Sequence, residues 1–248
     1  MSEASGFLDT DDGERIAWRR VAGAGPTVVW LGGFRSDMAG TKAQALADWA
    51  TGTGRGYLRF DYLGHGESSG DFGAKGTITR WREDALAVID ELTDGPLVLV
   101  GSSMGGWIAC LVAMARPQRV AAMALIAPAA DFTEKLMTPG IPPDGREALR
   151  RDGVWLRPSL YGDPYPITKT LLEDGGRWSI LGSEPVPIEV PVRIFQGAED
   201  PDVPWAHALE LAQQLKGQDV VFMLIKDGDH RLSRPQDIAR LIAAVEAL

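Results

Sequence analysis

Short apolar runs alternating with longer amphipathic stretches restrict this chain more than any other feature of its sequence. Thr27-Val-Val-Trp-Leu-Gly-Gly33 is a β-branched run closed by two glycines, and comparable runs recur at 57–62, 96–101, 120–126, 192–196 and 219–225. Runs of that length, apolar at successive positions, suit strands buried on both faces, as in a parallel sheet. Between them, 41–52, 77–93, 104–116, 204–216 and 235–247 carry helical patterns. In the second, apolar residues fall at 78, 81, 85, 88, 89 and 92, along one face of a helix. The alternation predicts an α/β fold, a mostly parallel central sheet with helices on both faces. An N-terminal pair near 6–8 and 15–21 is expected to add antiparallel edge strands.

One segment breaks the rhythm. From 131 to 191 prolines and glycines are frequent, as in Pro139-Gly-Ile-Pro-Pro143 and Asp163-Pro-Tyr-Pro166, with helical patterns near 144–151 and 167–173. With 248 residues in all, the chain reads as one domain, 1–248, carrying a 131–191 insertion between its sixth and seventh strands. Long excursions from compact domains commonly carry function, so the insertion is read as a cap over a site rather than as surface elaboration. Its apolar residues, among them Trp155, Leu160, Tyr161, Leu171, Trp178 and Ile180, are candidates to line an acyl tunnel.

The formal net charge is −9, without long runs of either sign. Nucleic acid and anionic membrane surfaces are therefore disfavoured as partners, because phosphate binding needs clustered Lys and Arg. The longest apolar stretch, 120–130, falls short of the ~18 residues a spanning helix needs, so no integral membrane contact is expected. The acidic start, Met1-Ser-Glu-Ala-Ser, lacks both an export signal's pattern and the arginines of a mitochondrial leader. A single cysteine, Cys110, forms no intrachain disulfide and suits a reducing compartment. These observations point to the cytoplasm.

The chemistry is carried by a G-x-S-x-G pattern, in which small residues allow a sharp strand-to-helix turn that exposes the serine oxygen. It occurs twice, at Gly66-Glu-Ser68-Ser-Gly70 and Gly101-Ser-Ser103-Met-Gly105. Ser103 follows the apolar run 97–100 and opens a helical pattern, whereas 70–76 after Ser68 reads as unable to form a helix. Ser103 is the nucleophile candidate, and Ser68 is read as a turn residue.

A serine needs a base to take its proton, and the chain has three histidines. His65 lies in a glycine-rich turn ahead of Ser103, and His207 falls inside a helical pattern, where packing is its simplest role. His230 follows the last apolar run in a loop, Lys226-Asp-Gly-Asp-His230, and is the base candidate. The orienting acid is sought after the run 192–196, where Asp200 is chosen. Glu199 and Asp202 are read as facing solvent or capping the next helix, and Asp131 is the alternative acid. The order Ser103, Asp200, His230 is the one found on strand–helix sheets with this elbow.

An oxyanion needs two backbone N–H donors. Met104, next to the nucleophile, offers one, and Phe34 after Gly32-Gly33 offers the other. Arg35 is read as solvent-facing, with a substrate carboxylate as the alternative. Cys110 reads as a small buried apolar residue. Neither a metal constellation nor a dinucleotide loop is recognisable, so no metal and no cofactor is expected.

With these residues in place, nearly the whole chain resembles the α/β-hydrolase superfamily. More narrowly, Gly33-Phe-Arg-Ser-Asp-Met-Ala-Gly-Thr-Lys-Ala43, Arg59-Phe-Asp-Tyr62, Val100-Gly-Ser-Ser-Met-Gly-Gly-Trp107, Val203-Pro-Trp205 and Asp229-His-Arg231 resemble the mitochondrial S-depalmitoylase group, which also cleaves mycophenolic acid acyl-glucuronide. The resemblance implies hydrolysis of acyl esters or thioesters by Ser103, Asp200 and His230, on a small acyl substrate or an acylated protein. The missing leader departs from the mitochondrial group and suits a bacterial-type relative. Two other classes compete: a ligand-binding protein on the same fold, and a cofactor-free haloperoxidase or acyltransferase using the same three residues. A dehalogenase would place Asp at position 103.

Overall fold

The structure, a computed structural model, describes residues 3–158 and 164–248. Its main sheet has eight strands: β1 (Glu3–Asp9), β2 (Arg15–Val21), β3 (Ala24–Leu31), β4 (Arg55–Phe60), β5 (Leu97–Ser102), β6 (Val120–Ile126), β9 (Val192–Gly197) and β10 (Val220–Ile225). They lie side by side in the order β1-β2-β4-β3-β5-β6-β9-β10. The first two pairings are antiparallel and the other five parallel. The expected N-terminal pair therefore lies at one edge of the sheet.

Period-two alternation along the strands explains why the runs are apolar throughout. Val29, Leu31, Leu58, Phe60, Leu97 and Leu99 point to one face, and Val28, Trp30, Tyr57, Val98 and Val100 to the other. Helices α1 (Thr41–Thr53) and α8 (Pro235–Ala247) cover the second face through Leu46, Ala50, Leu241 and Val245. Helices α3 (Ile78–Leu92), α4 (Met104–Ala115) and α7 (Trp205–Gln214) cover the first. Helix α3 starts where Thr77 accepts a hydrogen bond from the Arg80 N–H at 3.1 Å. It buries the periodic residues Ile78, Trp81, Ala85, Val88 and Ile89.

Two local readings need correction. The stretch after Ser68 does contain a helical turn, α2 (Phe72–Lys75), because the Asp71 carboxylate caps it by accepting from Ala74 N–H at 2.7 Å. The insertion holds more than two helices. After β6 come a π-turn at Thr133–Met137 and a 3₁₀ turn at Thr138–Gly140, then α5 (Pro143–Asp152). An antiparallel hairpin, β7 (Val154–Arg157) with β8 (Tyr165–Thr168), leads into α6 (Lys169–Arg177). Leu160 and Tyr161 lie outside the described residues.

Parallel pairing brings the carboxyl ends of β3, β5, β6, β9 and β10 to one rim of the sheet. The loop 32–40, Ser103, the insertion, Asp200 and His230 all leave from that rim. Ligands of open α/β sheets bind there.

Candidate active site

Ser103 sits between β5 and α4 with φ 55° and ψ −119°, a backbone conformation that costs a non-glycine residue about 1–3 kcal/mol. Its neighbours hold it there. Ser103 N–H donates to the Ile126 carbonyl at 2.9 Å, and its own carbonyl accepts from Gly106 and Ala129 at 2.9 and 3.0 Å. The flanking glycines are required by close approach. A Cβ on Gly101 would stand 2.4 Å from the Gly105 carbonyl oxygen, and one on Gly105 only 2.0 Å from that of Leu31.

The other two chosen residues converge on this serine. The Ser103 Oγ lies 3.2 Å from His230 Nε2, and His230 Nδ1 lies 2.8 Å from Asp200 Oδ2. Nδ1 donates to the carboxylate, which leaves Nε2 as an acceptor facing the hydroxyl. The Asp200 Oδ1 accepts from the backbone N–H groups of Asp202 and Val203 at 2.8 and 2.9 Å. Burial pushes the Asp200 carboxyl up, but the hydrogen bond and charge of His230, with those two N–H donors, outweigh it and hold the acid below its ordinary value. From α1, Lys42 Nζ reaches the histidine loop by donating to the Arg231 carbonyl and to Ser233 Oγ.

The loop after β3 passes directly over the serine. A Cβ on Gly33 would lie 3.4 Å from Ser103 Cβ. Among the described residues, the loop and cap hydrogen bonds engage neither Phe34 N–H nor Met104 N–H, the latter at the start of α4. The Phe34 side chain packs edge-on against Phe72, Trp81, Phe132 and Tyr165 at 5.2–6.0 Å. It thereby ties the loop to the insertion.

The remaining candidates fall elsewhere. Ser68 Oγ donates to the Asp61 carbonyl at 2.6 Å and accepts from Ala17 N–H at 2.8 Å, so it braces a turn against β2. Buried His207 bonds the Ala130 carbonyl through Nε2 at 2.8 Å. Asp131 does not approach His230. Its carboxylate accepts from Ser179 O–H and from the N–H groups of Ile180 and Leu181 at 2.7–2.9 Å, joining the start of the insertion to the stretch that follows its last helix. Glu199 and Asp202 are exposed, and neither caps α7, whose N-cap is Pro204. Asp200, Asp202 and His230 are close enough to be compared with a metal site. The Asp200 oxygen that faces His230 already accepts from it and from Gln196. Burial pushes the Cys110 thiol up to about 12, which makes it inert.

Two contributors escape a reading of the sequence. Buried Gln196 donates through Nε2 to Asp200 Oδ2 at 3.1 Å and to the Val203 carbonyl at 2.9 Å. Its one trace in the sequence is a polar residue ending an apolar strand. His65 accepts from Arg35 N–H at 3.0 Å through Nε2, while Nδ1 faces the Leu63 carbonyl at 3.0 Å. Burial pushes this imidazole down to about 4, against the Leu63 bond that favours its charge and with the help of the Arg35 charge. It stays neutral and serves as an acceptor.

Residues 26–169 match the family model described as serine aminopeptidase, family S33, more than half of the chain. The chain belongs to the α/β-hydrolase family. The bovine (Bos taurus) mitochondrial palmitoyl-protein thioesterase ABHD10 is 35% identical over 244 residues, 98% of this hydrolase and 79% of the bovine protein. A crystal structure from Agrobacterium vitis S4, described as a candidate hydrolase, superimposes with a TM-score of 0.94 at 43% identity, covering 100% and 99% of the two chains. The mouse α/β hydrolase domain-containing protein 10 follows at TM-score 0.88 and 33% identity, covering 98% and 97%. This α/β hydrolase is accordingly an enzyme of the carboxylic ester or thioester class. The curated relative is named mitochondrial, and no described helix is long and apolar enough to cross a membrane.

Proposed function

We propose that this chain is a serine hydrolase of acyl esters and thioesters that works through an acyl-enzyme, with palmitoyl-protein thioesterase-like or acyl-glucuronide esterase-like activity. The observation that carries the reading is the line of contacts Asp200–His230–Ser103, ending at a serine of strained backbone; among the described residues the loop and cap hydrogen bonds leave Phe34 and Met104 N–H aside. Ser103 Oγ attacks the acyl carbonyl as His230 Nε2 takes its proton, and the Asp200 carboxylate stabilises the imidazolium. Phe34 and Met104 N–H donate to the oxyanion. His230 then hands the proton to the departing thiolate or alkoxide. Water, activated by the same imidazole, releases the acid. No cofactor enters the sequence. A thiolate leaves with less acid assistance than an amine, which favours thioesters over peptides.

The 131–191 segment is assigned the part of a cap that sets acyl preference, because Phe132 and Tyr165 meet the ring of Phe34 beside the serine. A reducing compartment, the cytoplasm, goes with the single cysteine. The test is a pair of variants assayed with acyl thioesters and labelled with a fluorophosphonate. Ser103→Ala should lose label and kcat, by about 10⁶ if the three residues act as a unit, while Ser68→Ala keeps both. A dead Ser68 variant, or labelling of Ser103→Ala, would overturn the reading.

A further inference from the structure

Arg35 is held in place by each contact described for it, and none of them neutralises its charge. Its φ is 57°, a left-handed conformation that glycine adopts freely and a long side chain takes at a cost. The Nε2 of buried His65 pins its N–H. Its guanidinium lies 4.8 Å from the ring centroid of Tyr165 and 5.5 Å from that of Phe72. Two aromatic rings therefore orient the charge and leave N–H edges for an acceptor. Among the described residues no carboxylate pairs with it. In a protein of net charge −9, an unneutralised cation is thus kept two residues after Gly33, on which a Cβ would lie 3.4 Å from Ser103 Cβ, at a backbone position that disfavours it.

We propose that Arg35 is a specificity-determining residue selecting acyl thioesters and esters whose leaving group carries carboxylate or phosphate oxygens. The inference rests on the hydrolase reading above. The assignment to the leaving group follows from the change in exposure between two successive residues of the loop, half-buried Phe34 and exposed Arg35. The Phe34 ring packs with buried Trp81 and Phe132, an apolar neighbourhood suited to the acyl chain. Arg35 is exposed and meets the half of the substrate that stays near water. A planar guanidinium with a free fork binds such oxygens in a bidentate manner.

The test compares matched octanoyl thioesters on the full chain. One pair is the thioester of mercaptopropionate against that of its methyl ester; the other is that of phosphopantetheine against pantetheine. The ratio of kcat/KM, anionic over neutral, should exceed one and fall with added salt. In Arg35→Gln and Arg35→Gly the ratio should drop by about tenfold, chiefly through KM. Arg35→Gly relieves the positive φ and should melt no lower than the wild type, so lost selectivity in it does not reflect a damaged fold. The first pair reports carboxylate and the second phosphate, and a drop in either supports the proposal. Ratios unchanged in both variants overturn it. So does a drop confined to thioesters whose carboxylate lies at the far end of the acyl chain. If the wild type hydrolyses no thioester or ester at all, the hydrolase reading falls and this proposal with it. Turnover without discrimination overturns this proposal alone.

Discussion

The His65→Gln variant should unfold with a pH dependence that differs from the wild type by a calculable amount. His65 is 4% exposed, and its imidazole is pushed from 6.5 to about 4, by burial first. A base whose pKa is lowered on folding binds its proton more readily in the unfolded chain between those two values. Its contribution is therefore fully present above about pH 6.5 and is lost as pH falls towards 4. The two and a half units correspond to about 3 kcal/mol, of which about 2 kcal/mol is gone at pH 5. Asp84 works in the opposite direction. Burial pushes its carboxyl up to about 6, against the Leu63 N–H and Arg80 bonds, so the stability it gives is lost as pH rises. The quantity to measure is thus the difference between wild type and variant, from urea unfolding at pH steps from about 4.5 to about 7.5. Glutamine can still accept from Arg35 N–H but does not titrate. The advantage of the wild type over the variant should shrink steadily on acidification. Curves that stay parallel would refute the claim that His65 is held neutral by burial.

Gly105→Ala should destabilise the protein by at least about 1–3 kcal/mol and remove most activity. Its new methyl would lie 2.0 Å from the Leu31 carbonyl oxygen, between α4 and the loop carrying Phe34; a folded, fully active variant would refute the close approach. In the insertion, the tryptophans should part company. Trp178 donates to Thr79 Oγ1 at 2.7 Å and accepts from Trp107 through its carbonyl, so Trp178→Ala should lower the melting temperature. Trp155→Ala should shift the preferred chain length across a series of nitrophenyl esters by one or more carbons, each worth about 0.8 kcal/mol if fully buried. An unchanged ranking would remove Trp155 from the acyl site.

The elements with strong periodicity could be read without coordinates. Helix α3 was visible because Ile78, Trp81, Ala85 and Val88 recur on one face, and β5 because nothing interrupts Leu97–Val100. Ser103 and His230 were separable from Ser68, His65 and His207 by what precedes and follows each in the chain. The hairpin of Val154–Arg157 with Tyr165–Thr168 was not visible, because its strands have four residues each and one holds Pro166. Residues acting through space were hidden as well. Gln196 looks like the end of a strand until its amide is found on Asp200. His65 sits 30 residues from the N–H it holds, and no local pattern encodes that distance. Asp131 looked like an alternative acid because it too follows a strand, yet its partners lie 48–50 residues onward.

That last arrangement bears on how such an enzyme can diversify. The Asp131 carboxylate fastens the start of the insertion to the stretch that follows its last helix, so the segment between them closes on itself. Residues can be added or lost beyond the fastening without pulling on β6 or β9, the strands that place the elbow and the acid. Lengthening a closed loop is thermodynamically mild, about 0.6 kcal/mol for each doubling of a flexible segment. The fastening makes the insertion an exchangeable part. On the proposed cap role, a lineage could alter the segment and meet a different acyl group while inheriting the sheet, the serine and the histidine unchanged.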